Sequence, residues 1–268
     1  MTQDLAARFH DLHADGMLLL ANVWDAGSAR IAQASGARAV ATSSAAVAWA
    51  HGWPDGNALP AELLLQTVRA VAAAVTVPLT VDLEAGYSDE PARVAELVSA
   101  IVSAGAVGIN IEDGNADPGL LCAKISATRA AARGLGVELF INARTDVFLR
   151  GLVAATDRVS EVTAREARYR AAGANGLFVP GIIEAGDIAA VIGAIELPLN
   201  VMARPNMMPA GELRALGVRR YSAGSAIAET IHGLASAMMR EFTTSGRLET
   251  FGITPMSYPA LNSAMARG

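Results

Sequence analysis

The chain has 268 residues, 52% of them hydrophobic, with a formal net charge of −5 and a mean hydropathy of +0.34. That is enough apolar material for one large α/β core, and the scattered basic residues of an acidic chain exclude a nucleic-acid footprint. Cys122 is the single cysteine, which excludes an internal disulfide and fits a reducing compartment. The longest nearly apolar stretch, residues 70–81, contains threonines and a proline and falls short of the roughly 20 residues of a membrane span. The N-terminus lacks the basic-then-apolar order of a signal peptide, so the expectation is a cytoplasmic protein bound to no membrane.

Eight short apolar runs read as strands: 18–23, 39–43, 79–84, 108–112, 139–144, 176–180, 199–203 and 219–223. Most are apolar nearly throughout, as parallel strands covered on both faces must be. Helical patterns fall between them. Pro60 starts one whose apolar face includes Leu64, Val68 and Val71. Ser88-Asp89-Glu90-Pro91 is a start signal with proline early in the helix, followed by Val94, Leu97, Val98 and Ile101 and a stop at Gly105. Residues 165–172, 187–195 and 209–216 continue the alternation. The fold class is therefore α/β, a (β/α)8 TIM-type barrel forming one domain over 1–268. A doubly wound open sheet is the runner-up, weakened because no Gly-x-Gly-x-x-Gly links a strand to a helix. Residues 225–268 exceed one closing helix, and Ile227, Ile231, Leu234, Met238 and Met239 line up as an apolar face. This tail reads as a helical oligomerisation extension, with packing over the barrel bottom the other reading.

In a barrel the chemistry sits at the C-terminal strand ends. Asp82, Glu84 and Glu112 fall there, and period two puts Asp82 and Glu84 on one face. Such a carboxylate cluster repels itself unless a cation intervenes, and oxygen-only ligands select a hard ion, Mg²⁺ with Mn²⁺ as the substitute. The bland reading is a pair of surface acids flanking a turn. Asn142 and Arg144 share a face at the end of strand five, where Arg144 suits a clamp on a substrate carboxylate or simply neutralises the acids. The small residues Ser43, Ser44 and Ala45 allow an amide nest for an oxyanion after strand two. Trp24 closes strand one as a packing or ligand-lining aromatic, and His51 and Tyr87 are the candidate proton donors.

Taken in order, Asn22-Val-Trp24-Asp25, Thr42-Ser43-Ser44, Trp53-Pro54-Asp55-Gly56, Val81-Asp82-Leu-Glu84-Ala-Gly86-Tyr87, Ile109-Asn-Ile-Glu112-Asp113 and Asn142-Ala-Arg144-Thr-Asp146 resemble the motifs of the isocitrate lyase and phosphoenolpyruvate mutase superfamily. The resemblance implies Mg²⁺ at Asp82, Glu84 and Glu112, with Asp55 holding a metal-bound water. It implies a small carboxylic acid held by Trp24, Ser43, Ser44, Ala45, Asp82, Asn142 and Arg144, and a last helix exchanged between subunits of a homodimer or homotetramer. Two departures stand out. The Lys-Lys-Cys-Gly-His loop of the lyases is replaced by Asn115-Ala-Asp117-Pro118-Gly119, leaving Cys122 as a core cysteine, and Glu84 stands where Asp is usual. The expected function is a Mg²⁺-dependent carbon–carbon lyase or decarboxylase acting on a small 2-oxo or 2-hydroxy dicarboxylic acid through a stabilised enolate. The alternatives are a mutase or hydrolase of a phosphonopyruvate-type P–C bond, and a 2-oxo acid binding protein with little turnover.

Overall fold

The computed structural model describes residues 2–266. Helix α1 (Thr2–Ala14) precedes strand β1 (Leu18–Val23). The alternation continues with α2 (Ala26–Ala34), β2 (Val40–Thr42), α3 (Ser44–Ala50), α4 (Ala61–Ala72), β3 (Leu79–Asp82), α5 (Pro91–Ser103), β4 (Gly108–Glu112), α6 (Pro118–Gly134) and β5 (Phe140–Arg144). Then come α7 (Val147–Arg150), α8 (Arg158–Ala172), β6 (Gly176–Phe178), α9 (Ala185–Ala194), β7 (Leu199–Met202), α10 (Ala210–Leu216), β8 (Arg220–Ser222), α11 (Ala226–Ser245) and α12 (Tyr258–Met265). The strands are parallel, pair in chain order and close with β8 on β1, the expected (β/α)8 barrel. None of the described helices is long and apolar enough to cross a membrane.

Each expected strand is present, and several are shorter than their apolar runs. One shortening changes an argument. Strand β3 stops at Asp82, and Glu84 lies beyond it in the left-handed region at φ +50°. Asp82 and Glu84 therefore do not share a face by strand periodicity. A tight turn, closed by the Gly86 amide on the Leu83 carbonyl at 2.7 Å, carries Glu84 instead, and its buried carboxylate meets the Asn57 amide and the Tyr87 hydroxyl.

Period two does hold inside the barrel. On β4 and β5, Asn110 and Asn142 face inward, and Asn142 Nδ2 donates to Asn110 Oδ1 at 2.9 Å and to Asn200 Oδ1 of β7 at 3.0 Å. Arg220 of β8, only 1% exposed, donates from Nη2 to Asn110 Oδ1 at 3.1 Å. The middle of the barrel is thus a polar layer cross-linking β4, β5, β7 and β8, and it supports the strand ends above it.

Below that layer, α1 covers the N-terminal mouth. Phe9 packs edge-on to Phe140 at 5.4 Å, and a Cβ on Gly108 would lie 2.7 Å from its ring, so the first residue of β4 must be glycine for α1 to dock. His13 stacks on Phe140 at 4.0 Å, and its Nδ1 lies 2.7 Å from the Phe9 carbonyl, an acceptor only, which puts the proton on Nδ1. Its Nε2 is buried without a partner. Burial, and then the charge of Arg220, depress the His13 pKa to about 3.

The barrel is less complete on one side. Leu19, in the middle of β1, is 53% exposed, and its outer face borders a cavity of about 880 Å³ lined by β1, α2, β8, the first turns of α11 and Met265. In a closed barrel a helix following β8 would cover this surface. Helix α11 instead leaves the barrel, with Ile231, Met239 and Phe242 exposed, and the chain returns through α12 to α2, where Arg30 Nε donates to the Ala264 carbonyl at 2.8 Å.

The geometry around His13 makes a prediction about acid stability. A histidine whose folded pKa lies below its unfolded value of about 6.5 contributes stability that is complete above pH 6.5 and is lost as pH falls toward 3. Comparing thermal or urea unfolding of the wild type with His13→Leu should show the wild type losing ~1.4 kcal/mol more per pH unit across that window. Parallel pH profiles would mean that His13 is not buried neutral.

Candidate active site

The C-terminal mouth of the barrel gathers the charged residues. Asp82, Glu112 and Arg144 are the last residues of β3, β4 and β5, and the register pairs Asp82 with Asn110 and Glu112 with Arg144. Arg144 Nη1 lies 2.6 Å from Glu112 Oε2, and its Nε and Nη2 grip Asp146 Oδ1 and Oδ2 at 2.8 and 3.1 Å. The ring of Phe178 lies beneath, 5.8 Å from the guanidinium carbon. The Nε and one Nη2 N–H are hydrogen-bonded to Asp146, whereas Nη1 meets Glu112 as a close ion pair with no aligned hydrogen bond. The expected clamp is thus anchored side-on by protein carboxylates, and what it can offer a substrate is its outer edge.

Asp146, absent from the sequence candidates, is the anchor. It is fully buried, takes a second cation from Arg150 Nε at 2.7 Å, and its amide donates to Asp113 Oδ1 at 3.0 Å. Asp113 Oδ2 in turn accepts from Arg165 Nη1 at 2.8 Å and from the Tyr169 hydroxyl at 2.6 Å. Arg165 and Tyr169 are four residues apart on α8, one turn, so both reach the same carboxylate. A chain of charge-assisted bonds therefore runs from the outer helix to Arg144. Asp113 and Asp146 each stand just past a strand end and within the motifs that carry the family resemblance, which are the signals the sequence holds for them.

The acids respond to burial in a common direction. Glu112 is pushed up to about 8, first by burial and then by Asp82, Asp146 and Glu84, against the pull of Arg144. Burial also raises the Asp82 carboxyl, opposed by Arg144 and by the amides of Ser44 and Glu84. Glu84 is raised by burial, with Asp55 and Asp82 adding to it and the Asn57 amide opposing. Arg144 is held in its charged form: burial works against the charge, and Glu112, Asp146 and Asp82 more than offset it. The mouth therefore gathers more carboxyl groups than one guanidinium can hold in the charged form, and burial favours their neutral acids.

The other candidates divide. Thr42 Oγ1 accepts the Asp82 amide at 2.9 Å, and the Ser44 amide points at Asp82 Oδ2 at 3.4 Å, so the turn after β2 reaches the cluster. Ser43 spends its hydroxyl capping α3, accepting from the Ala46 amide at 3.4 Å, and Ala45 is buried in the first turn of that helix. Asn142 lies in the polar layer beneath. Asp55 is exposed on the segment between α3 and α4. That segment touches the site through the Asn57 amide, which donates to Glu84 Oε2, a contact the sequence did not suggest. Tyr87, at φ +61°, donates its hydroxyl to Glu84 Oε1 at 3.1 Å, and burial followed by Glu84 raises its pKa, so it holds its proton. His51 caps the C-terminal end of α3, and its ring nitrogen Nε2 pairs with Thr67 Oγ1 of α4 at 2.8 Å. Trp24 lines the cavity on the outer side of β1 and β8. Cys122 packs on the core from α6, with burial raising its thiol, as expected of a structural cysteine.

Comparisons with known proteins agree with the fold. Residues 9–243 match the model of the phosphoenolpyruvate phosphomutase family. The chain is 37% identical over 223 residues to an uncharacterized protein of Mycobacterium tuberculosis, with 81% of each chain covered. It is 33% identical over 210 residues to an oxaloacetate decarboxylase of Bradyrhizobium sp., covering 74% of this chain and 70% of that one. The crystal structure of a candidate lyase/mutase from Burkholderia cenocepacia superposes with a TM-score of 0.89 at 33% identity, covering 99% of this chain and 97% of the other. The chain belongs to the phosphoenolpyruvate phosphomutase family, within the isocitrate lyase and phosphoenolpyruvate mutase superfamily.

Proposed function

We propose that this protein is a Mg²⁺-dependent lyase that decarboxylates, or cleaves a C–C bond of, a small 2-oxo or 2-hydroxy dicarboxylic acid. The observation that carries the reading is Arg144, hydrogen-bonded to Asp146 and ion-paired with Glu112, beside the half-buried Asp82. A guanidinium edge next to surplus buried carboxylates suits an anionic substrate that arrives with a divalent cation. The relative named oxaloacetate decarboxylase supports the decarboxylating branch.

The residues present fit Mg²⁺. Asp82, Glu84 and Glu112 offer oxygen ligands only, and Glu112 Oε2 is buried with no aligned hydrogen bond despite its ion pair with Arg144. Among the described residues, no three acids, histidines or cysteines converge tightly enough to grip one ion alone. That suits Mg²⁺, which keeps several waters and takes one or two carboxylates directly. We assign Asp82 as the direct ligand, with Glu84, Glu112 and Asp55 holding water. A bound Mg²⁺ would act as a Lewis acid on the 2-oxo group. Arg144 orients the substrate carboxylate and stabilises developing negative charge. A 2-oxo acid binder with little turnover is the second reading, favoured by one observation. The two proposed proton donors are otherwise engaged, Tyr87 with Glu84 and His51 with Thr67.

The same reading gives the C-terminal tail a role. We propose that α11 of a second copy covers the apolar groove at Leu19, Ile31 and Tyr221, making a homodimer or homotetramer. An exposed strand face and a helix that leaves Ile231, Met239 and Phe242 exposed are complementary surfaces, and exchange between copies would bury both.

Two experiments test these proposals. Proton and phosphorus NMR with Mg²⁺ and oxaloacetate, methylisocitrate, dimethylmalate or phosphonopyruvate should show pyruvate formed from one of the carbon acids. Turnover should vanish with EDTA and in Asp82→Ala, and Arg144→Lys should lower kcat/KM by on the order of 100-fold. Binding without product across the panel would favour the binder, and product from phosphonopyruvate alone would replace C–C with P–C chemistry. Light scattering should find an oligomer that Leu19→Glu or Ile231→Glu converts to monomer; a monomeric wild type would sink the exchange.

A further inference from the structure

Lys124, in the middle of α6, is buried to 3% exposure, a depth at which lysine needs partners for its charge. Its Nζ donates to the Ala85 carbonyl at 2.8 Å and reaches Asp89 Oδ1 at 3.4 Å. Asp89 is 89% exposed, so the carbonyl is the closer and better shielded partner. Neither partner belongs to α6. Both lie on the segment between β3 and α5, the one that carries Glu84 and Tyr87.

That segment is conformationally expensive. Glu84 and Tyr87 are non-glycine residues at φ +50° and +61°, with Gly86 between them at +95°. A non-glycine residue in this region is strained and persists only where its surroundings over-determine it. Three contacts hold this backbone from different sides. The Glu112 amide donates to the Glu84 carbonyl at 2.9 Å from β4, and the side chain of Val94 of α5 closes on Gly86, where a Cβ would lie 2.9 Å from it. Lys124 holds the peptide between them from α6. Within the loop so held, the Tyr87 hydroxyl meets Glu84 Oε1 at 3.1 Å.

We propose that Lys124 is a positioning residue for the strand-end site. Its ammonium, bonded to the Ala85 carbonyl, holds the loop after β3 in the left-handed conformation that delivers Glu84 and Tyr87 to the mouth of the barrel. Lys124 touches neither side chain and acts through the main chain, from a helix whose opposite end is solvent-facing. The consequence for chemistry rests on the function proposed above: a loosened loop lowers the affinity of the site for Mg²⁺ and for the oxo acid.

Hydrogen exchange of the metal-free protein, followed by mass spectrometry, tests the positioning directly in Lys124→Met, Lys124→Gln and Lys124→Arg. Met keeps most of the buried stem and removes the charge-assisted bond. Exchange across 83–90 should then speed up about ten-fold, with the rest of the barrel unchanged, and Arg should restore part of the protection. A calorimetric Mg²⁺ titration of the same proteins should show Kd about ten-fold weaker in Lys124→Met and Lys124→Gln than in the wild type. Unchanged exchange in 83–90, or acceleration spread evenly over the barrel, would overturn the proposal. If Met fails to fold, Gln and Arg carry the comparison. If the wild type binds no Mg²⁺, the proposed function falls, and the exchange pattern still decides whether Lys124 holds the loop.

Discussion

The ion pair between Glu112 and Arg144 depends on one structural fact: the two residues are register partners at the ends of adjacent strands. Placing a guanidinium and a carboxylate there, both mostly out of water, costs desolvation that a single pair need not recover. The structure answers with a second carboxylate, Asp146, and with the line of bonds through Asp113 to Arg165 and Tyr169 on α8. Each member would be an orphan charge without the next. Rigidity of this kind is of little use to folding alone and of much use to a site that must present an arginine edge at a fixed place.

The polar layer below serves the same end. Asn110, Asn142, Asn200 and Arg220 occupy inward positions that apolar residues usually fill in such barrels. Arg220, whose pKa burial depresses to about 9, keeps its charge at neutral pH, with Asp82 above it as the charge that favours this. The acid cluster thus has cations on two sides, Arg144 at the mouth and Arg220 beneath. A divalent ion would complete a balance that protein side chains bring only part of the way.

The fold was legible in the sequence because its signal is repeated. Eight apolar runs at regular spacing, with helical patterns between them, leave a closed barrel as the economical answer. The residues at the ends of β3, β4 and β5 follow from it by position. What was not legible depended on backbone conformation or on partners far away in sequence. Nothing local marks Glu84 for a left-handed turn, so strand periodicity was extended two residues too far. Arg144 looked like a free clamp because Asp146, two residues on, was read as motif and not as its partner. Nor does anything local to His51 mark the partner of its ring, since Thr67 lies sixteen residues away. Helix α1 went unread altogether, since its job of closing the barrel mouth shows only once Gly108 and Phe140 are placed beneath it.

The central claim is that Arg144 and the acid cluster form one site for a dicarboxylate-like ligand together with a divalent ion. Calorimetric titration with oxalate, in the presence and absence of Mg²⁺, tests it most directly. The account predicts tight binding with Mg²⁺, little without it, and loss of binding in Arg144→Gln under both conditions. Oxalate binding of equal strength with and without Mg²⁺, or binding that survives the loss of Arg144, would contradict it.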